Sequence, residues 1–166
     1  MTAAAAVLTF VTLERLAELW LARRNTQALL RRGAMEFGAS HYPMIVLLHA
    51  AWLAGLWALA FNLPVNLAWL VVFAVLQVGR LWVITALGPR WTTRIVVLPE
   101  ATLVAAGPYK YLSHPNYAVV AAEIAALPLA FGLIGFALVF SVLNAGVLFI
   151  RIRVENAALS AATNRR

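Results

Sequence analysis

The stretch "AVVAAEIAALPLAFGLIGFALVFSVLNAGVLFI", residues 118–150, is apolar throughout except for Glu123 and a few small polar residues. A membrane-spanning helix needs about 20 mostly apolar residues, so the run is too long for one helix and short for two. A break at "FGLIG", residues 131–135, and proline at position 128, which lacks a backbone N–H, predict a tight helical hairpin with a kink. The hairpin therefore indicates a membrane-embedded fold.

The rest of the chain has the same character. Its 166 residues are 64% hydrophobic and 11% charged, with a mean hydropathy of +0.87. Soluble domains average about 45–50% apolar and about 25% charged residues. Three more apolar segments, Ala3–Ala22, Pro43–Phe61 and Leu67–Leu87, bring the total to about five helices. We therefore expect an all-α integral membrane protein that forms a single domain over residues 1–166, with a C-terminal helical hairpin.

The absence of cysteine excludes disulfides and thiolate metal sites, and we expect no metal. The net charge of +7 does not indicate binding of nucleic acid. The placement of the basic residues instead reports how the chain is oriented in the membrane. The connections at 62–66 and 131–135 contain no Lys or Arg, and the positive-inside rule then places the N-terminus outside and the longer loops in the cytoplasm. If the helices alternate, these basic residues share the cytoplasmic side: Arg23, Arg24, Arg31, Arg32, Arg90, Arg94, Lys110, Arg151, Arg153, Arg165 and Arg166.

Polar residues concentrate in the predicted cytoplasmic loop 88–117 and just after it. Pro115 restricts His114 to an extended conformation at the mouth of the fourth helix, and Asn116 and Tyr117 project from its first turn. A helix N-terminus can receive a carboxylate. The partial alternation in 91–105 predicts a short β-hairpin around "LPEAT", residues 98–102. The alternative interpretation is a rigid interfacial loop with an aromatic belt.

The tail "RIRVENAAL", residues 151–159, carries the last helix beyond its apolar part. Arg151 and Glu155 are one turn apart and share a helix face. Such an extension can lean over the loop and close a pocket. Alternatively it is a solvated helix end from which Arg151 reaches the interface.

Several charged residues fall inside apolar segments, where lipid makes charge costly. Glu123 and Arg80 either form a structural ion pair or face a functional cavity. Glu123, His41 and His49 are side chains of types that can act as a general base.

Three motifs together resemble the isoprenylcysteine carboxyl methyltransferase (ICMT) family: Gly107-Pro108-Tyr109, His114-Pro115-x-Tyr117, and Arg151 with Glu155 and Leu159. The family consists of integral membrane methyltransferases that use S-adenosylmethionine. The resemblance implies a cofactor-binding part at about 88–160. Its expected cofactor-binding residues are Gly107, Pro108, Tyr109, His114, Pro115, Asn116, Tyr117, Arg151 and Glu155. Ser113 and Asn156 depart from the family pattern, which usually has Arg and often Glu there.

The segment "GAMEFGASHYPMIVLLHAAW", residues 33–52, is similar to a bacterial branch of this family that is associated with type III polyketide synthases. Members methylate hydroxyl groups of long-chain alkylpyrones or alkylresorcinols. This similarity implies a lipophilic acceptor in the membrane, with an isoprenylcysteine-like carboxylate as the other acceptor. We expect Glu123, Arg151 and Glu155 to be catalytic, and His41, His49 and Arg80 to bind the acceptor. The expected location is a bacterial inner membrane, with the active site facing the cytoplasm.

Two other classes stay open on the sequence. Membrane sterol or steroid reductases share a similar C-terminal hairpin but bind NADPH, and a small transporter or scaffold would need no catalytic site. The sequence leaves the oligomeric state open.

Overall fold

The computed structural model describes residues 2–99, 101–102 and 104–163. Within these ranges it contains five α-helices: α1 Ala3–Arg31, α2 Tyr42–Ala60, α3 Leu67–Leu87, α4 Pro115–Ala130 and α5 Ile134–Thr163. Two short strands, β1 Met35–Phe37 and β2 Ile95–Val97, complete the secondary structure apart from 3₁₀ turns. The predicted all-α membrane fold with a C-terminal hairpin is confirmed.

Three segments are long and apolar enough to cross a membrane, namely Ala39–Ala60, Leu67–Arg90 and Ile134–Ala161. Helix α4 is apolar but shorter, and α1 carries Glu14, Arg15 and Glu18 in its middle. Large apolar side chains on α3 and α5 point outward, such as Val78 at 67% exposure and Val142 at 72%. Apolar surface of this extent suits contact with lipid rather than water.

The helix ends alternate along the bundle. The Thr2 hydroxyl, before α1, donates to the carbonyl of Phe61, after α2, at 2.7 Å. The backbone N–H of Asn66, before α3, donates to the carbonyl of Ala130, at the end of α4, at 2.7 Å. Successive helices are thus antiparallel, and the described basic residues of the loops collect at the opposite end. Arg165 and Arg166 lie outside the described residues. Which side of the membrane this end faces stays a prediction.

Local signals set the ends of the first and third helices. The Asn66 side chain accepts from the Trp69 N–H at the start of α3, and Gly88 ends it at a φ of +52°. Both boundaries match the predicted segment. Helix α1 instead continues past Ala22 to Arg31, because residues 23–31 contain strong helix formers and neither glycine nor proline. The first loop, between α1 and α2, is therefore shorter than expected.

The hairpin depends on a proline inside α4. Pro128 has no N–H to donate to the carbonyl of Ile124, four residues earlier. The indole Nε1 of Trp52, on α2, donates to that carbonyl at 3.2 Å. The freed backbone group is therefore satisfied from a neighbouring helix, and α4 continues through Pro128 to Ala130. Trp52 and Ile124 belong to the main apolar core.

The predicted β-hairpin within 91–105 is wrong. Strand β2 pairs antiparallel with β1 of the first loop, with Met35 opposite Val97 and Phe37 opposite Ile95. Residue 100, in the predicted turn, lies outside the described residues. Ile95 and Val97 pack with Ala158 of α5, so the ribbon is held against the C-terminal helix. The alternation at β2 indicated a strand but carried no information about its partner.

Candidate active site

A polar cavity of about 750 Å³ lies at the basic end of the bundle. Its walls come from β2 and the following loop, the start of α4 and the end of α5. We call it the loop cavity. Its lining includes six of the predicted cofactor-binding residues: Tyr109, His114, Asn116, Tyr117, Arg151 and Glu155.

A hydrogen-bond network fixes one wall of the loop cavity. The Tyr117 hydroxyl donates to the Glu155 carboxylate and accepts from Arg151 Nε at 2.7 Å. Arg151 also donates through Nη2 to the carbonyl of Thr93 at 2.7 Å, and its side chain is buried. Helix α4, helix α5 and the loop before β2 therefore meet at one guanidinium. We call Tyr117, Arg151 and Glu155 the tyrosine network.

His114 extends this wall. Its ring stacks on Tyr117, with centroids 5.4 Å apart and planes 16° apart. Its Nε2 lies 3.0 Å from Asn156 Oδ1, and its Nδ1 lies 3.7 Å from Glu155. Asn156, one of the two departures from the family pattern, thus holds the histidine. Ser113, the other departure, also lines the cavity.

Three predicted cofactor-binding residues act through the backbone instead. Gly107, Pro108 and Pro115 are absent from the lining of the loop cavity. Gly107 has a φ of +57°, and a Cβ there would lie 2.9 Å from the Cβ of Ala86 and 3.1 Å from Trp82 Nε1. Its close approach is to α3 and not to a ligand. The Gly107-Pro108 turn therefore sets the position of Tyr109, whose neighbouring side chains are apolar.

Tyr109 is a neutral donor at this wall. Burial raises the pKa of its hydroxyl to about 12, and the charge of Glu155 adds to the rise. The phenol therefore keeps its proton across the physiological pH range. It can donate a hydrogen bond into the cavity but cannot serve there as an anion.

A second cavity, of about 290 Å³, lies among α1, α2 and α5, and we call it the helix cavity. Apolar residues such as Leu16, Leu53 and Val147 form most of its surface. Among the polar groups on its wall are Arg15, Glu18, His49, Arg80 and Asn144. His49 and Arg80 therefore lie where the sequence predicted acceptor binding. His41, in the turn before α2, lines neither cavity.

The two cavities meet. Trp91, Thr92, Asn116, Tyr117 and Arg151 line both of them. Among the described residues, the indole N–H of Trp91 and the Oδ1 of Asn116 are buried without a hydrogen-bond partner. Buried polar atoms are almost always paired, so unpaired ones at this junction are available for a ligand. The junction therefore lies between a cavity of mixed polar and apolar lining and a mostly apolar cavity among the helices.

Glu123 lies beside the helix cavity but lines neither chamber. Only 2% of its surface is exposed, and its carboxylate accepts from Arg80 Nε at 2.9 Å and from Arg80 Nη2. Arg15 Nη2 contributes a further hydrogen bond at 3.1 Å. With its amide nitrogen facing the carboxylates, Gln77 donates to Glu123 at 3.2 Å and to Glu14 at 2.6 Å. The geometry favours the structural ion pair, the alternative that the sequence left open.

Glu18 links the two guanidiniums. It accepts from Arg15 Nη1 at 2.7 Å, and its other oxygen lies 3.3 Å from Arg80 Nε. The group forms the buried charge cluster, whose members are Glu14, Arg15, Glu18, Gln77, Arg80 and Glu123. Arg15 and the Thr93 carbonyl were missed by sequence reasoning. A charge within an apolar helix was a signal for Arg15, whereas a backbone carbonyl leaves no signal in the sequence.

Fold and site together define an integral membrane protein in which a polar and an apolar binding cavity share one wall. A model described as the isoprenylcysteine carboxyl methyltransferase (ICMT) family matches residues 68–161. The chain therefore belongs to that family, and membership implies a membrane methyltransferase.

Two relatives extend the similarity over most of the chain. An uncharacterized protein, YpbQ, of Bacillus subtilis (strain 168) is 40% identical over 158 residues, which cover 92% of this chain and 94% of YpbQ. An uncharacterized protein of Haemophilus influenzae is 30% identical over 146 residues, with 82% and 83% coverage. No solved structure matches the chain.

Proposed function

We propose that the protein transfers the methyl group of S-adenosylmethionine to an oxygen of a lipophilic acceptor in the membrane. The observation that carries the proposal is the junction at Tyr117 and Arg151, where the loop cavity and the mostly apolar helix cavity share lining residues. A water-soluble donor and a lipid-like acceptor need such a meeting point. Bringing two reactants together in a fixed orientation contributes several kcal/mol to catalysis.

The loop cavity suits the cofactor in size and in its donor and acceptor groups. Cavities of about 300–1,000 Å³ hold ligands of this size. The unpaired atoms of Trp91 and Asn116 are available for its polar groups. Glu155 and His114 would hold the amino acid or ribose part, and the face of Tyr117 would attract a sulfonium by cation–π contact. When bound, S-adenosylmethionine supplies an activated methyl group.

The acceptor would occupy the helix cavity. Its apolar wall suits a long alkyl chain that enters between helices. Together with Arg151, the three carboxylates and two guanidiniums of the buried charge cluster have no net formal charge, so these charges do not decide between a carboxylate and a hydroxyl acceptor. We favour a long-chain alkylpyrone or alkylresorcinol hydroxyl over an isoprenylcysteine-like carboxylate because residues 33–52 resemble the polyketide-associated branch of the family.

Arg151 is the charged group at the junction that is best placed to act on the reacting oxygen. It lines both cavities and is held by Tyr117 and the carbonyl of Thr93. A fixed guanidinium there would stabilise negative charge on an acceptor oxygen. Glu155 lines only the loop cavity, and its role is then in cofactor binding.

The direct test uses purified protein in detergent. Calorimetry should show binding of S-adenosylhomocysteine and no binding of NADPH. Radiolabelled S-adenosylmethionine should transfer label to a 5-alkylresorcinol of long chain. Binding of NADPH alone would instead support the reductase class. Absence of label in every hydroxyl and carboxyl acceptor tried, despite a folded protein, would refute the methyl-transfer proposal.

We further propose that the loop cavity faces the cytoplasm of a bacterial inner membrane. The chain has no cysteine, so single cysteine probes give clean signals. A cysteine at Asn62 should react with an impermeant reagent added outside intact cells, and a cysteine at Ser160 should not. The reverse pattern would invert the proposed orientation.

A further inference from the structure

We propose that His49 is the general base that takes the proton from the acceptor hydroxyl, and that Asn144 hydrogen-bonds and orients this hydroxyl. The inference rests on the proposed function and assigns residues to its proton transfer. Neither residue belongs to the three motifs that carry the family resemblance.

The first observation is the orientation of His49. Its Nδ1 lies 2.9 Å from the carbonyl of Ile45, one turn earlier on α2. A carbonyl can only accept, so Nδ1 carries the proton and Nε2 keeps its lone pair. Within the described residues Nε2 has no hydrogen-bond partner. The ring lines the helix cavity and therefore offers a free base there.

The second observation is Asn144 on α5. Its side chain is 1% exposed, and its Oδ1 has no hydrogen-bond partner in the part of the chain that the structure describes. Leaving a buried amide unpaired in an apolar bundle is destabilising. Asn144 lines the helix cavity, and a hydroxyl in that cavity would supply the missing donor.

Helix geometry places both groups at the same depth. Tyr42 and Arg151 both bond to Thr93, the former between hydroxyls at 3.1 Å. His49 follows Tyr42 by two turns on α2, and Asn144 precedes Arg151 by two turns on α5. Since α2 and α5 run in opposite directions relative to the loop end, the Cα atoms of His49 and Asn144 each lie about 10 Å further from that end than the Cα atoms of Tyr42 and Arg151.

Side-chain direction brings the base and the junction together. Side chains on a helix lean toward its N-terminus. His49 therefore leans toward the loop cavity, whereas the long Arg151 side chain leans into the helix cavity. The acceptor oxygen would lie between them, with its alkyl chain among the apolar residues.

The step balances as follows. The hydroxyl O–H bond breaks and its proton passes to His49 Nε2. The oxygen forms a bond to the methyl carbon, the carbon–sulfur bond of the sulfonium donor breaks, and the electron pair remains on sulfur as a neutral thioether. The products are a methyl ether, the thioether and an imidazolium.

Charged groups of both signs surround His49. They are Arg15 and Glu18 of α1, Arg80 of α3, Glu123 of α4 and Arg151 of α5. Arg15 and Arg80 are ion-paired with carboxylates of the cluster, which offsets part of the positive charge around the ring.

The test compares two acceptors of equal chain length. A 5-alkylresorcinol is neutral at pH 8, because phenols ionise near pH 10. An alkyl phenol made acidic by a ring nitro group is already ionised and needs no base. His49→Gln should reduce methylation of the resorcinol by about 10²-fold or more and leave methylation of the acidic phenol within a few-fold of wild type. Equal loss on both acceptors would overturn the assignment of His49.

The Asn144→Leu variant distinguishes a role of Asn144 in orienting the acceptor hydroxyl from a role in stabilising the fold. It keeps the branched shape and the number of heavy atoms and removes the unpaired amide, so the melting temperature should be unchanged or higher while KM for the resorcinol rises at least about tenfold. Ser141→Ala, one turn earlier and on neither cavity wall, is the matched control. A lower melting temperature with unchanged KM would assign Asn144 a structural role and overturn this part.

These outcomes are distinct from failure of the proposed function. If wild-type protein methylates neither phenol, the function itself is wrong. If wild type methylates both and His49→Gln discriminates between them, function and base are both supported. In each variant, unchanged affinity for S-adenosylhomocysteine shows that the loop cavity is intact.

Discussion

The buried charge cluster and the tyrosine network use the same side chains, arginine and glutamate, for opposite purposes. In the cluster, Arg80 and Glu123 are almost fully buried and bind each other through more than one contact. In the network, Glu155 keeps 28% of its side chain exposed and has a single strong partner, Tyr117. Glu123 lines neither cavity, whereas Glu155 lines the loop cavity.

The difference shows how a membrane protein separates structure from chemistry. A charge in lipid is tolerated when every lone pair has a donor, and a saturated carboxylate is then a poor base. Glu123 is saturated by Arg80, Arg15 and Gln77. Outside the cluster, Asn144, Asn116 and Trp91 keep buried polar atoms without a hydrogen-bond partner in the described part of the chain, and a bound ligand would satisfy them.

The largest expected effect comes from breaking the cluster. Glu123→Gln leaves Arg80 buried beside a neutral amide, and removal of one partner of a buried pair destabilises a protein by about 3–5 kcal/mol. Unfolding in mixed detergent micelles measures the change. The Arg80→Gln, Glu123→Gln double variant should lose clearly less than the sum of the single variants.

Turnover distinguishes the two roles of Glu123. If the double variant regains both stability and methyl transfer, the carboxylate is structural. A stable Glu123→Gln protein that binds S-adenosylhomocysteine but does not methylate would restore Glu123 as a catalytic residue and contradict our reading of the cluster.

The next effect concerns ligand binding. Glu155→Ala removes a charged hydrogen-bonding group from the loop cavity, and such groups contribute about 1.5–3 kcal/mol. Affinity for S-adenosylhomocysteine should fall about 10- to 100-fold, while stability changes little because the side chain is partly exposed. Arg153→Ala, on the exposed side of the same tail, is the control. Equal weakening in both variants would indicate a general charge effect.

A smaller effect tests whether a buried group without charge, the carbonyl of Ile124, also depends on its hydrogen-bond donor. Trp52→Phe removes the donor to the Ile124 carbonyl, and an unsatisfied buried carbonyl costs about 1–3 kcal/mol. Pro128→Ala supplies a backbone N–H for the same carbonyl. In the Pro128→Ala background, Trp52→Phe should therefore cost measurably less in chemical unfolding. An equal cost in both backgrounds would mean that only the packing of Trp52 matters.

The smallest effect is expected at the surface of the loop. Arg94 and Glu36 form an ion pair of 2.6 Å across the β1–β2 ribbon, with the Arg94 side chain 39% exposed. Exposed pairs contribute about 0.2–1 kcal/mol, so Glu36→Gln should shift stability only slightly, and less at high salt. A loss comparable to that of Glu123→Gln would remove the distinction between buried and exposed pairs.

Sequence reasoning succeeded where the signal was local. The ends of α3 and the break between α4 and α5 follow from Asn66, Gly88 and the residues around Gly132, which act within one turn. The four-residue spacing of Arg151 and Glu155 puts both side chains on one face of α5, and this spacing predicted that they act at the same site. The family resemblance added their partner across the site, Tyr117.

The errors concern partners that are distant in the chain. Strand β2 pairs with a segment about 60 residues earlier, and only alternation marks it locally. For Glu123 the sequence left a catalytic role and an ion pair open; the contacts from Arg15 and Arg80, on two other helices, favour the ion pair, and the catalytic role stays a prediction. Asn144 was overlooked although an amide in an apolar helix was visible in the sequence.

The length of α4 has a consequence for the lipid around it. At 1.5 Å per residue, its 16 residues extend about 24 Å, against a hydrocarbon core of about 30 Å. A helix shorter than the core draws the bilayer inward, at a cost of fractions of a kcal/mol for each ångström of mismatch. Tyr117 lies in the first turn of α4. Local thinning of the bilayer around α4 would therefore bring the lipid headgroups closer to the junction. A long-chain acceptor would then travel a shorter distance from the leaflet to the reacting atoms, and turnover should fall as the host lipids are made longer.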